Sequence, residues 1–356
     1  MRMRPDRRSL LKGLAAAGAA GLVSAPSHAE LSHGPVAGAI EVQAAPIPHF
    51  SRVDAARKRF GSLEYRGGLV LKSASRDFGG FSGLVIDPAG RRIASISDVG
   101  GWLTGRIDYD DGRPARIGDA YMGPLLALNG RSLAGKREQD AESLTLLDGT
   151  LENGTLLVGF ERVHRIGRFP IRNNRIGAPA GYLTTPPEAR RMNANRGFEA
   201  LCVLQGGPYK GSIVAISERF IDLKGHHSGW IWINNRPQRF GLTDVDGFDI
   251  TDAVGLEDGS MVILERRFRW TEGVRMRVRR IRAEEIQPGA VLAGDTLYQA
   301  DMSCEIDNME GIAAHKGPRG ETVLTLISDD NFNSFLQRTI LLQFTMLDEG
   351  VASRAR

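Results

Sequence analysis

Asn308-Met309-Glu310-Gly311-Ile312, followed 19 residues after its glutamate by Asp329-Asp330, is the stretch that decides how the chain is read. It joins an acid, a short apolar run, a turn and a second alternating run that closes on another acid. The same phrase opens at Phe81-Ser82-Gly83-Leu84, Ala141-Glu142-Ser143-Leu144, Phe198-Glu199-Ala200-Leu201 and Thr251-Asp252-Ala253-Val254. Those copies close at Ser97-Asp98, Glu161-Arg162, Glu218-Arg219 and Glu265-Arg266. Opening residues 82, 142, 199, 252 and 310 stand 60, 57, 53 and 58 apart, and the closing acid follows by 16, 19, 19, 13 and 19. Self-similarity at such a period marks a repeat architecture, in which each copy is one supersecondary unit.

Beyond the phrase, each copy holds a third run of strand character at 102–109, 164–171, 230–233, 274–281 and 338–344, then a less regular fourth. Asp148-Gly149, Asp258-Gly259 and Lys316-Gly317-Pro318 punctuate the runs as turns. Helical periodicity is weak, and 283–286 predicts at most a turn or two. Four short antiparallel strands repeated about an axis predict an all-β chain, a β-propeller of four-stranded blades. Five blades tile 63–347, although the long stretch at 110–140 has room for a sixth. The fifth copy lacks a fourth strand, and residues 65–72 form a strand without a blade. Docking that strand beside 338–344 closes the ring and removes its open edges.

Arg7-Arg8-Ser9-Leu10-Leu11-Lys12, an apolar run from Gly13 to Val23 and Ser27-His28-Ala29 follow the order of a twin-arginine-type export signal cut after Ala29. The apolar run is too short for a stable membrane span. Residues 30–62 then read as a tether and 348–356 as a tail. Removing 1–29 takes away Arg2, Arg4, Arg7, Arg8 and Lys12 against Asp6, which is the whole formal charge of +4. The remaining chain is near neutral, so nucleic acid, which calls for a basic stripe, is not an expected partner. A periplasmic or secreted monomer is expected. Cys202 and Cys304 fall in the third and fifth copies, which would not be neighbours, and are expected to be free buried thiols.

In a propeller the first strand of each blade lines the channel and the second runs antiparallel to it, so both acids of each phrase come to one mouth. Glu142, Glu199, Asp252 and Glu310 would form an inner ring, with Asp98, Glu161, Glu218, Glu265 and Asp329 just outside it. Converging like charges need an answer. A hard divalent cation such as Ca²⁺ supplies one through oxygen ligands. Arg162, Arg219 and Arg266, directly after three closing acids, supply another. Capping of inner-strand amides by the acids is a third. Ser82 replaces the acid in the first copy, so the ring is asymmetric there. No nucleophile motif emerges: Gly80-Phe81-Ser82-Gly83 has Leu84 where an elbow needs its second glycine. His226-His227 reads as a polar loop, and Trp230 and Trp232 as packing on one strand face.

Laid out this way the chain resembles the phytase-like family, domains described by the esterase-like activity of phytase. The resemblance rests on Gly80 to Leu84, Ser95 to Asp98, Asp140 to Leu144, Asn195 to Leu201, Leu264 to Phe268, Asp307 to Ile312 and Ile327 to Phe332. It implies a propeller, an extracytoplasmic setting and hydrolysis of phosphate or carboxyl esters, and it assigns no catalytic residue. The expected function is metal-assisted hydrolysis of a small-molecule ester at the acidic mouth, with Arg162, Arg219 or Arg266 steadying an anionic substrate. The alternative is a non-catalytic propeller that binds a small molecule or a partner protein.

Overall fold

The computed structural model describes residues 35–193 and 196–347. The expected export signal (1–29), the tail (348–356) and Asn195 lie outside the described residues. Strands β1 (Gly38–Ala39), β2 (Gln43–Ile47), β3 (Arg59–Phe60) and β4 (Leu63–Lys72) come first. Blade 1 is β5 (Phe81–Ile86), β6 (Arg92–Ser97), β7 (Gly101–Asp110) and β8 (Arg113–Pro124), with β1 on its outer edge. After the short helix α1 (Gly135–Gln139), blade 2 is β9 (Ala141–Gly149), β10 (Asn153–Phe160) and β11 (Arg165–Arg172). Its fourth strand is split into β12 (Arg175–Ile176) and β13 (Gly181–Tyr182), both paired with β11. Blade 3 is β14 (Phe198–Val203), β15 (Ile213–Ile221), β16 (His226–Ile233) and β17 (Arg236–Thr243). Blade 4 starts with β18 (Asp249–Gly255), β19 (Met261–Arg269) and β20 (Gly273–Ile281). The chain then lends β21 (Val291–Leu292) to the edge of blade 3 before β22 (Asp295–Ala300) completes blade 4. Blade 5 is β23 (Asn308–Lys316), β24 (Thr322–Asp329) and β25 (Thr339–Met346), followed by β4 and β2.

The ring closes as the unpaired strand at 65–72 suggests: β4 pairs antiparallel with β25, from Leu71 opposite Thr339 to Leu63 opposite Met346. Residues 113–124 are the fourth strand of blade 1, so the long stretch at 110–140 holds no sixth blade. Two other expectations are corrected. The stretch 30–62 is not wholly a tether, because β2 and β3 both pair with β4 and β1 pairs with β8. Strand β4 would otherwise leave an open edge, and covering it satisfies its backbone groups. Among the described residues the one α-helix is short and lies at Gly135–Gln139, while 283–286 forms a turn, with the Ile286 amide donating to the Ala283 carbonyl, and no α-helix.

Each junction between neighbouring blades encloses its own hydrophobic core, because alternate residues of a strand face opposite sides of its sheet. In β14, Ala200 and Cys202 face blade 4 while Leu201 and Val203 face blade 2. Trp230 and Trp232 pack together in the junction of blades 2 and 3, as their spacing suggests. Cys202 and Cys304 are free and buried. No helix among the described residues is long and apolar enough to cross a membrane.

Candidate functional site

All five inner strands start at the same end of the channel, and each carries a β-bulge close to that start. The residue left out of the ladder is Gly83, Glu142, Glu199, Thr251 and Glu310 in turn. A bulge bends its strand and re-aims the extra side chain. In blades 2, 3 and 5 that side chain is the glutamate of the repeated phrase. In blade 1 it is Gly83, whose φ of 79° and whose approach to the Leu144 amide, 2.8 Å from where a Cβ would sit, leave room for glycine only.

The bulge also sets which closing residue belongs to the ring. Opposite the position two before the bulge stand Glu161, facing Asp140, Arg266, facing Asp249, and Asp329, facing Asn308, and Glu218 bonds back to Gly197 in the same way. Blade 4 therefore presents Arg266, and blade 1 Ser97, where blades 2, 3 and 5 present an acid. Glu265 is one residue earlier, opposite Ile250, and a single-residue step turns a side chain to the other face. There it is wholly enclosed, accepting from Arg277 Nε at 2.6 Å and Arg279 at 2.7 Å. Glu265 is thus not gathered with the ring. Asp252, one residue past its bulge, is not gathered either. Its buried carboxyl accepts the amides of Ala253 and Ile312, both at 2.8 Å, and of Leu84. It staples blades 4, 5 and 1, and burial holds its pKa well above the usual carboxylate range.

What the structure does bring together lies in two groups that share one residue. Oxygens of Asp140, Glu142 and Glu161 lie within 4.8 Å of one another, as do those of Glu161, Glu199 and Glu218. Lys136 of α1 flanks the first group, 2.6 Å from Asp140 and 2.7 Å from Asp98. Burial works against its charge, but Asp98, Asp140 and Glu142 outweigh it and hold the ammonium protonated. Arg162 adds a 2.7 Å contact to Asp140 within its own blade. Arg219 pairs with Asp249, and Arg266 with Asn308 and Glu310, each across to the next blade. On the far side of the ring, burial and the nearby charges of Asp98 and Glu310 raise the pKa of Asp329.

Asp140 and Lys136 are the site residues that sequence reasoning missed. Their signal is present in the chain: Asp140 is two before Glu142, and Lys136 is four before Asp140, the spacing at which helical side chains meet. His227, read as part of a polar loop, instead lies buried in β16, with its Nδ1 2.7 Å from the carbonyl oxygen of Glu218.

The opposite end of the channel is different in character. A cavity of about 470 Å³ there is walled by Leu84, Leu144, Val254 and Ile312, with His315 and Lys316 toward its rim. Burial, with Arg66 nearby, pushes the His315 pKa down to about 4. A histidine whose folded pKa is depressed contributes stability that is present above its unfolded value of 6.5 and is lost as pH falls toward 4. Melting temperature measured across that window should therefore fall less in His315→Gln than in the wild type; equal slopes would refute the effect.

A five-bladed propeller with carboxylates gathered at one mouth is the class of protein that this geometry defines. The chain belongs to the Phytase-like family, described by the esterase-like activity of phytase, which matches residues 76–332. Comparison with curated proteins returns no match. Among solved structures, a hypothetical protein from Leishmania major is similar at 10% identity, with 76% of this chain and 86% of that chain covered and a TM-score of 0.41. The β-propeller domain of Myceliophteria thermophila Cps50 (Swd1) is similar at 10% identity, with 87% and 100% covered and a TM-score of 0.35. At those scores the fold rests on the sheet topology rather than on either likeness.

Proposed function

We propose that the protein is an exported hydrolase of phosphate esters or other small-molecule esters, acting as a periplasmic or secreted monomer at the acidic mouth with a bound divalent cation. The observation that carries this reading is Glu161, whose carboxylate is common to both oxygen groups. The donors fit a hard cation. All are carboxylate oxygens, and ligands at about 2.4 Å on opposite sides of a Ca²⁺ ion stand about 4.8 Å apart. Glu161, Glu199 and Glu218 would hold the ion, with Glu142 and Asp140 beside it. When bound, it would polarise an ester oxygen and lower the pKa of an attacking water.

The chain's own cations do the positioning. Lys136 and Arg162 are about one-third exposed and face the same acids, so they would orient the anionic part of a substrate. Arg219 and Arg266 are more enclosed and serve chiefly to neutralise the ring across blade junctions. Those internal ion pairs favour the second reading, a propeller that binds a ligand or a partner protein without turnover. Metal analysis of protein purified without chelator, with turnover of generic phosphate and carboxyl esters in Ca²⁺, Mg²⁺ or Mn²⁺, tests the choice. Bound metal and metal-dependent turnover are expected. Metal without turnover would favour the binding reading, and neither would sink the site.

A further inference from the structure

Blade 3 carries one irregularity that the other blades lack. Its second and third strands pair Ile216 with Gly229 and then Ile221 with His227, so residues 217–220 of β15 are opposed by Ser228 alone. The corresponding strands of the other four blades pair without a shift. A run of extra residues lifts a strand off its partner and re-aims the side chains it carries. Here the lifted run holds Glu218 in mid-hairpin, whereas Glu161 and Asp329 stand where their strands end.

Backbone groups lifted out of a ladder need other partners. The Ser217 hydroxyl donates to the Ser228 carbonyl at 3.0 Å and accepts the Phe220 amide at 3.2 Å. Glu218 is tied on both sides: its amide donates to the Gly197 carbonyl at 3.3 Å, and its own carbonyl accepts from His227 Nδ1 at 2.7 Å. A carbonyl only accepts, so Nδ1 bears the proton. The Gly197 amide in turn donates to Glu161, which links the two carboxylates through one peptide segment. His227 is 1% exposed, and its Nε2 is buried with no hydrogen-bond partner among the described residues. Such a nitrogen costs stability that an apolar side chain would keep, so packing alone does not account for the ring.

We infer that His227 is a positioning residue of the acidic mouth, fixing the Glu218 backbone so that its carboxylate meets those of Glu161 and Glu199. A hydrogen bond from behind a metal ligand holds the ligand's orientation in this way. The inference deepens the hydrolase reading and rests on its cation.

Calorimetric titration of the whole protein with Ca²⁺, after removal of metal by chelator, tests the inference. His227→Leu should weaken Ca²⁺ binding by about 10- to 100-fold. His227→Asn, whose amide nitrogen can stand near the place of Nδ1, should restore most of it. In a Glu218→Gln background His227→Leu should have little further effect, because it acts through that carboxylate. A merely structural histidine predicts another pattern: a lower melting temperature in chelator for His227→Leu, with Ca²⁺ affinity unchanged. That result would overturn the inference, as would losses that add fully in the double variant. Should His227→Leu fail to fold, His227→Gln replaces it, since its donor reaches the place of Nε2 instead; equal affinity in the Asn and Gln variants would count against the inference. Failure of the hydrolase reading is separable. Ca²⁺ binding that follows this pattern without ester turnover overturns catalysis and leaves His227 its role, whereas a wild type that binds no Ca²⁺ overturns both.

Discussion

Glu265→Gln should destabilise the protein by about 3–5 kcal/mol, the usual cost of leaving buried charge without its partner. Arg277 and Arg279 are each 1% exposed, and both direct a guanidinium to this one carboxylate. Their remaining donors go to loop carbonyls: Arg277 to Val245, and Arg279 to Thr243 and Ala293. Those carbonyls supply dipoles but no counter-charge. Arg277 also lies over the Phe248 ring at 4.2 Å, so neither guanidinium can swing to water without disturbing the packing under the blade. The measurement is the denaturant midpoint. Replacing all three charged residues by apolar ones of similar volume should recover most of the loss, because removing a whole buried network also removes its desolvation cost. A midpoint unchanged in Glu265→Gln would show that the two arginines need no anion.

Glu161→Gln should have two effects of opposite sign. Without metal, it should hold or raise the melting temperature, because one charge leaves a cluster in which Asp140, Glu142, Glu199 and Glu218 crowd around it. With metal, it should abolish the rise expected of the wild type, about 5 °C for an ion present at about 100 times its Kd. Ester turnover should fall with it. A purely structural role predicts a different pattern, loss of stability in the absence of metal, since Gly197 of the next blade donates its amide to this carboxylate at 3.4 Å. Differential scanning with chelator and with Ca²⁺ separates the two.

The architecture was legible in the sequence because it depends on periodicity. Apolar runs of the right length recur with their turns, and the strand at 65–72 had no partner other than the one missing from blade 5. Which acids meet was only partly legible. In the three blades where the closing acid follows by 19, opening and closing residues share the ring: Glu142 and Glu161, Glu199 and Glu218, Glu310 and Asp329. The two blades with spacings of 16 and 13 are those where an acid falls off register, at Asp98 in one and at Asp252 and Glu265 in the other. A bulge adds a residue to one strand and not to its partner, so counting along a hairpin does not fix which side chains face each other. Gly83 and Thr251 occupy the bulges there, and nothing in their chemistry marks them as counterparts of a glutamate. Lys136 and Asp140 escaped notice because they precede the repeated phrase rather than belong to it.

The pairing of β4 with β25 joins Leu71 to Thr339, nearly the two ends of the ring-forming chain. While the polypeptide is being synthesised, β4 therefore emerges early and must wait for its partner until almost everything else has been made. A nascent or prematurely terminated chain that stops before Thr339 presents two raw strand edges, one on β4 and one on β24, both competent to pair with other chains. The closing pair thus works as a completeness check: only a chain that reaches its last strand hides the surfaces by which aggregation or proteolysis would recognise it.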